Sequence, residues 1–123
     1  MQVFLEPIPR IFYFLQYAED ICEAAGEEDG RYDLFIALDC GDLQRLGKAA
    51  SLFENAASTL CIDHHVSNRS FAGENYVVPE ASSTCELVYD LLPKERITKE
   101  ISESLYTGIV TDTGVFQYSC TSE

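Results

Sequence analysis

The 123-residue sequence has few positive charges, no long apolar run and no closely spaced pair of cysteines, and each deficit excludes a class of protein. Only eight lysine and arginine residues oppose 21 aspartate and glutamate residues, which gives a net charge of −13. A surface of that sign repels nucleic-acid phosphates, so we expect no binding to long nucleic acids. No apolar run approaches the roughly 20 residues that span a bilayer, and we expect no membrane association.

The start of the chain and its cysteines indicate the cytoplasm. The first residues, "MQVFLEPIPRIF", lack the basic region and the long apolar stretch of a signal peptide. The five cysteines are odd in number, widely spread and never form a CxxC pair. A disulfide framework or a four-thiolate zinc site is therefore not expected, and reduced cytoplasmic thiols fit better.

Alternating strand and helix patterns predict an α/β domain with a mainly parallel sheet and helices on both of its faces. The apolar runs at 33–39 ("DLFIALD") and 58–63 ("STLCID") predict adjacent interior strands, and the first should be buried on both faces. A third strand is predicted in "NYVVPE" (75–80). The residues after Asp42 follow helical spacing with Asp42 as the N-cap, which makes the first two strands a βαβ unit.

Three further helices are predicted from local signals. The segment 17–26 ("YAEDICEAAG") indicates a helix closed by Gly26. Ser83, followed by Glu86, matches a capping box at the start of the next helix. A last helix should begin near Thr98 and end at Gly114.

The only two histidines of the chain are adjacent, in "CIDHHVSN" (61–68), directly after Asp63. Neighbouring side chains on an extended strand point to opposite faces, so one apolar face cannot bury both imidazoles. At the end of a strand, where the backbone turns, His64 and His65 can face a common cleft together with Asp63. Taken alone, a chance triplet with Asp63 capping a turn explains the pattern equally well.

Two more acids are predicted to lie near that cleft. Asp39 ends the first buried strand, and Asp112 lies at the end of the last helix in "GIVTDTG". Ligands of open α/β sheets bind outside the carboxyl ends of the strands, where Asp39 and His64 could reach one ion. Carboxylate and imidazole ligands together suit a divalent first-row metal such as manganese. Each acid by itself is also explained as a cap or turn residue.

Three segments, in this order and spacing, resemble the motifs of the DHH phosphoesterases, a family named after the Asp-His-His triplet. They are "FIALDCGD" (35–42), "CIDHHVSN" (61–68) and "GIVTDTGVF" (108–116), which resemble the second, third and fourth motifs. The segment 80–92 ("EASSTCELVYDLL") resembles the stretch between the third and fourth motifs. The resemblance covers nearly the whole chain and is greatest to bacterial members of the nanoRNase and pAp-phosphatase type.

The resemblance implies a metal role for three residues. Asp39 would bridge two manganese ions, and His64 and Asp112 would both ligate one of them. Two such ions about 3.5–4 Å apart can activate water and stabilise the charge on phosphorus during hydrolysis. The ions also let an acidic site accept an anionic substrate.

The resemblance also implies catalytic and substrate-binding roles. His65 would face the scissile phosphate. Asp63 would not ligate a metal itself but would orient the side chains of the site. Ser82 and Ser83 would contact the substrate, although helix capping explains both serines equally well. The implied function is a manganese-dependent phosphoesterase that acts on short oligoribonucleotides or 3′-phosphoadenosine 5′-phosphate. The alternatives are polyphosphate, cyclic dinucleotide or single-stranded DNA as substrate, or a noncatalytic remnant that binds a metal or a partner.

The sequence also departs from the family pattern at both ends. The first motif, an aspartate pair on the opening strand, is absent, and so is the C-terminal substrate-binding (DHHA1) domain. We therefore expect residues 1–118 to be a partial DHH domain and 119–123 to begin a linker. One metal ion or none is expected in this part alone, with weak phosphoesterase activity or none, and a homodimer is an open alternative to a monomer.

Overall fold

The fold is a parallel α/β arrangement, described by a computed structural model for residues 1–5, 7–23 and 31–117. Two parallel sheets are formed, one of two strands and one of three. The strands are β1 (Val3–Phe4), β2 (Ile21–Cys22), β3 (Phe35–Leu38), β4 (Thr59–Asp63) and β5 (Glu74–Val77), and the α-helices are α1 (Ala50–Glu54), α2 (Thr84–Leu91) and α3 (Lys99–Asp112). Short 3₁₀ helices cover Arg10–Phe12, Ala18–Asp20, Leu43–Ala49 and Lys94–Arg96.

The three-stranded sheet has the order β3-β4-β5, and all of its pairings are parallel. Ala37 lies beside Cys61 and Leu38 beside Ile62 in the first pairing. The predicted parallel pairing of the two apolar runs is therefore confirmed. It places the carboxyl ends of β3 and β4 side by side, which is where the candidate site lies.

Helices cover both faces of this sheet, as predicted. On one face Ala37 packs with Phe53 of α1, and the aromatic rings of Phe35 and Phe71 contact Phe53 at centroid distances of 5.4 and 5.3 Å. On the other face Ile62 packs with Leu87 of α2. Burial of one such side chain contributes about 1.5–3 kcal/mol, so these two clusters hold the helices onto the sheet.

The prediction that the first apolar run is an interior strand buried on both faces is wrong. In the described residues β3 pairs only with β4, so it lies at the edge of the sheet. Ile36 and Leu38 remain 47% and 52% exposed. The reason is that α2 packs over the side chains of β4 and leaves the same face of β3 uncovered. An apolar run shows which side chains can be buried but not whether another element covers them.

The predicted helix at 17–26 is also wrong where the structure describes it. Tyr17 has a left-handed backbone (φ 65°), only Ala18–Asp20 form a 3₁₀ turn, and Ile21–Cys22 form strand β2. The pairing of β2 with β1 gives these residues backbone partners that the local pattern could not indicate. The proposed stop at Gly26 lies outside the described residues.

The two predicted caps, Asp42 and Ser83, are confirmed, and Thr98 caps the last helix near its predicted start. Asp42 accepts hydrogen bonds from Gln44 N and Arg45 N, although the segment it caps is 3₁₀ and kinks at Gly47 (φ 54°) before α1. The Ser83 side chain accepts from Glu86 N, and the Thr98 side chain accepts from Ile101 N. Capping of this kind satisfies backbone N–H groups that the helix leaves unpaired.

Two expectations from composition can also be compared with the structure. Within the described ranges, no helix is both long and apolar enough to cross a bilayer. Cys22, Cys40, Cys61 and Cys85 are free thiols in the part of the chain that the structure describes. Cys120 lies outside it.

Candidate metal centre

The site forms where two neighbouring strands end. Asp39 directly follows β3, and Asp39 N donates to the carbonyl oxygen of Ile62 at 3.0 Å, which continues the pairing with β4. Asp63 is the last residue of β4, and His64 and His65 follow it. Because the two strands are parallel, these four polar residues meet at one edge of the sheet.

Asp39 is held in an uncommon backbone conformation. Its φ is 57°, in the left-handed region, which is unfavourable for most residues other than glycine but tolerated by aspartate. The turn aims its carboxylate at the histidines, and Thr84 Oγ1 donates to Asp39 Oδ1 at 2.8 Å. Backbone strain at one residue, supported by a hydrogen bond from another element, is typical of functional positions.

His64 presents one ring nitrogen, Nε2, to two carboxylates. Its Nδ1 lies 3.1 Å from the carbonyl oxygen of Ala81. A carbonyl oxygen can only accept, so Nδ1 carries a proton, and Nε2 is the ring atom that faces the carboxylates. Nε2 lies 3.0 Å from Asp112 Oδ2 and 3.6 Å from Asp39 Oδ1.

His64 Nε2 and Asp112 Oδ2 are both buried and have no hydrogen-bond partner in the part of the chain that the structure describes. The two atoms lie 3.0 Å apart, where a proton on Nε2 would make an ion pair with the carboxylate and a bound cation would accept a lone pair from each atom. Buried polar atoms are rarely left unpaired, so this arrangement needs a positive centre. Imidazole nitrogen and carboxylate oxygen are ligands of first-row divalent cations, and the donor set therefore fits such a metal.

Within the described residues, Asp39, His64 and His65 form a group that could hold a metal ion, since one ligand atom from each lies within 4.8 Å of the others. Asp112 contacts this group through His64. The structure thus brings together the three residues that the sequence assigned to one ion, Asp39, His64 and Asp112. It also places His65 beside them, with Nδ1 3.8 Å from Asp39 Oδ1. Their binding of a metal stays a prediction.

His65 is oriented by Asp63. His65 Nδ1 donates to Asp63 Oδ1 at 2.7 Å, so this nitrogen is occupied and Nε2 is the ring atom left for other contacts. The His65 side chain is one-third exposed, whereas that of His64 is 14% exposed. The two rings therefore have different environments, one enclosed between acids and one open to solvent.

Asp63 is fully buried and yet ionised. It accepts from His64 N at 2.9 Å, from His65 Nδ1 at 2.7 Å and from Asn68 Nδ2 at 2.6 Å. Burial by itself would raise the pKa of Asp63, but the hydrogen bonds from Asn68 and His65 outweigh it and hold that pKa below its ordinary value. Hydrogen bonds to a carboxylate favour its charged form.

Both predicted substrate-contacting serines are engaged at the start of α2. Ser83 is buried, and its hydroxyl accepts from Glu86 N at 3.3 Å. The backbone N and the hydroxyl of Ser82 both donate to Glu86 Oε2 at 2.7 Å. These contacts account for the two serines as capping residues, and a contact with substrate stays a prediction.

Two functional neighbours were not identified from the sequence. Thr84 directly follows the predicted serines and reaches Asp39, 45 positions away in the chain. Asn68 ends the segment "CIDHHVSN" and also donates to the carbonyl oxygen of Cys40 at 3.2 Å, which ties the loop after β4 to the loop after β3. The position of Asn68 within that segment was the available signal, and nothing local indicated the reach of Thr84.

Comparison with known proteins finds one family model and several similar proteins. A model of the DHH family, N-terminal domain, matches residues 2–109. The chain is 38% identical over 63 residues to the bifunctional oligoribonuclease and PAP phosphatase NrnA of Thermus thermophilus, covering 50% of this chain and 19% of that protein. It is 35% identical over 72 residues to the cyclic-di-AMP phosphodiesterase PdeA of Listeria monocytogenes, covering 53% and 11%.

A solved structure shares the fold over almost the whole chain. The crystal structure of an exopolyphosphatase-related protein from Bacteroides fragilis superposes with a TM-score of 0.85 at 27% identity, covering 99% of this chain and 39% of that one. The chain therefore spans less than two-fifths of the length of each of these three proteins.

Proposed function

The chain belongs to the DHH family, and on that premise we propose that it is the metal-binding core of a phosphoesterase. The reaction is hydrolysis of a phosphate ester in a small phosphorylated substrate or a short oligonucleotide. The observation that carries the proposal is the pair of buried, unsatisfied atoms, His64 Nε2 and Asp112 Oδ2, which face each other beside Asp39.

The proposed cofactor is manganese, held by Asp39, His64 and Asp112. When bound, it would supply Lewis acidity at the phosphate and offset the negative charge of the surrounding acids. The chain itself orients the side chains that would ligate the metal. Ala81 fixes the tautomer of His64 through Nδ1, and Thr84 fixes the carboxylate of Asp39. Neighbours of this kind commonly set the orientation of metal ligands.

His65 is the proposed catalytic residue that meets the substrate. Asp63, ionised and buried, keeps the proton of the ring on Nδ1, and this leaves Nε2 for a phosphate oxygen or a proton in transfer. A positioned histidine of this type contributes about 10²–10⁴-fold to such a step. Asp63 acts through His65 and needs no contact with the substrate.

Short oligoribonucleotides and 3′-phosphoadenosine 5′-phosphate are the proposed substrates, which agrees with the name of the Thermus relative. Two alternatives have support of the same kind. The name of the Listeria relative favours a cyclic dinucleotide, and that of the Bacteroides protein favours polyphosphate. Single-stranded DNA and a noncatalytic metal-binding role complete the alternatives. The net charge of −13 opposes binding of a long polyanion without cations.

Hydrolysis by the purified 123-residue chain tests the proposal. The chain would be incubated with manganese and, separately, a short RNA, 3′-phosphoadenosine 5′-phosphate, cyclic di-AMP and polyphosphate. We expect slow release of product from at least one substrate, its loss with a chelator, and a fall of about 100-fold or more in His65→Ala. Asn75→Ala is the matched control, because Asn75 is exposed and, among the described residues, its side chain bonds to Ala72 alone.

The same experiment separates catalysis from binding. Manganese binding without turnover of any of the four substrates would support the noncatalytic role and contradict the proposed activity. Turnover that persists in His65→Ala at the wild-type rate would show that another residue, or a contaminant, carries out the reaction.

A further inference from the structure

We propose that Gly108 is a positioning residue of the cation site, because the missing side chain at this position lets α3 lie close enough to α2 for Asp112 to reach His64. The inference deepens the proposed function and rests on it only for the identity of the cation. Gly108 lies inside the regular helix α3, about one turn before its end. Space, and not an unusual backbone conformation, is what requires glycine there.

The contact between the two helices leaves no room for a methyl group. A Cβ atom at position 108 would overlap Cys85 Sγ and would lie 3.2 Å from Cys85 Cβ. The overlap with Sγ is the severe contact, whereas the contact with Cβ is tight by only a few tenths of an ångström. Non-bonded heavy atoms prefer separations of roughly 3.5–4.0 Å, so with the Cys85 thiol in its present orientation α2 and α3 would have to separate by on the order of 1 Å.

Such a separation would act directly on the site. Gly108 and Asp112 are four residues apart and therefore lie on the same side of α3. Asp112 is carried by α3, whereas the His64 ring is held by the carbonyl oxygen of Ala81, just before α2 begins. The spacing of the two helices thus sets the 3.0 Å distance between Asp112 Oδ2 and His64 Nε2. Metal–ligand bonds of about 2.0–2.2 Å tolerate little displacement.

Helix propensity predicts an effect of Gly108→Ala opposite to the one that the contact with Cys85 predicts. Alanine favours a helix over glycine, so without the contact Gly108→Ala would be more stable than the wild-type chain and would bind a cation equally well. If the contact with Cys85 matters, the substitution does the opposite. Removal of the Cys85 thiol should then reverse the effect, which a general loss of stability would not show.

The experiment compares Gly108→Ala, Cys85→Ala and the double variant with the wild-type chain, using Ser104→Ala as a control at an exposed position of α3. Crystal structures without metal give the distance from Asp112 to His64, and calorimetric titration gives manganese affinity. In Gly108→Ala we expect a longer distance and about tenfold weaker binding. The double variant should recover most of the wild-type distance and most of the wild-type affinity. Cys85→Ala and Ser104→Ala should resemble the wild-type chain in both measurements.

An unchanged distance in Gly108→Ala, or no recovery in the double variant, would overturn the proposal. If Gly108→Ala does not fold, the double variant decides alone: wild-type folding and affinity support the proposal, and their absence overturns it. If the wild-type chain binds no manganese, the proposed function fails, while the distance in the crystal structures still decides the role of Gly108.

Discussion

Asn68→Ala should destabilise the folded chain, chiefly because the buried carboxylate of Asp63 loses one hydrogen-bond donor. Asn68 Nδ2 donates to Asp63 Oδ2 at 2.6 Å and to the carbonyl oxygen of Cys40 at 3.2 Å. A hydrogen bond to a charged group contributes about 1.5–3 kcal/mol, and a neutral one about 1 kcal/mol. We therefore expect the free energy of unfolding at neutral pH to fall by about 2–4 kcal/mol, out of the roughly 5–15 kcal/mol typical of a domain.

The pH dependence distinguishes this mechanism from simple loss of packing. The pKa of Asp63 lies below its ordinary value in the folded chain, so its charge contributes stability above the unfolded pKa that is lost as pH falls through the folded pKa. Without Asn68, the effect of burial is less opposed and the pKa of Asp63 should rise. The difference in stability between the two chains should then be largest near neutral pH and should shrink in acid.

Urea denaturation of both chains, followed by circular dichroism from acidic to neutral pH, measures this difference. Asn75→Ala is the control, since the Asn75 side chain is exposed and its partner, the backbone of Ala72, is neutral. We expect the control to lose about 1 kcal/mol or less at every pH. A deficit in Asn68→Ala that is the same at all pH values would refute the reasoning, because it would show that the charge of Asp63 is not involved.

Three further predictions follow from the same contacts. Thr84→Val removes the hydrogen bond to Asp39 and should weaken manganese binding about tenfold in a calorimetric titration, while Thr84→Ser should retain it. Asp42→Ala removes the cap of the segment after β3 and should lower the free energy of unfolding by about 0.5–2 kcal/mol in urea. Manganese at roughly 100 times its dissociation constant should stabilise the chain by about 2.7 kcal/mol, a gain that a chelator removes in a thermal scan.

The sequence was sufficient to predict the structure where a local pattern is compatible with only one arrangement. The apolar runs that became β3 and β4, with a capped segment between them, permit a parallel pair, and that pair places Asp39 beside His64. The adjacent histidines after Asp63 could not share a strand face, and in the structure they follow the end of β4. Because ligands of open α/β sheets bind outside the carboxyl ends of the strands, the ends of β3 and β4 also predicted where the site lies.

The sequence was insufficient where tertiary contacts decide. The segment that begins at Tyr17 has a helical pattern, yet Ile21–Cys22 pair with β1, because backbone partners from a distant strand outweigh weak local preference. Exposure of Ile36 and Leu38 depends on how far α2 extends across the sheet, which no pattern within β3 contains. The contact of Thr84 with Asp39 depends equally on the docking of α2.

The central claim is that His64 belongs to a cation site and His65 does not hold the cation. The most direct test is the manganese affinity of the wild-type chain, His64→Ala and His65→Ala, measured by calorimetric titration. We predict that the wild-type chain binds manganese, that His64→Ala loses about 10–100-fold or more in affinity, and that His65→Ala binds nearly as the wild-type chain does. Equal affinity in all three chains, or equal loss in both variants, would contradict the account.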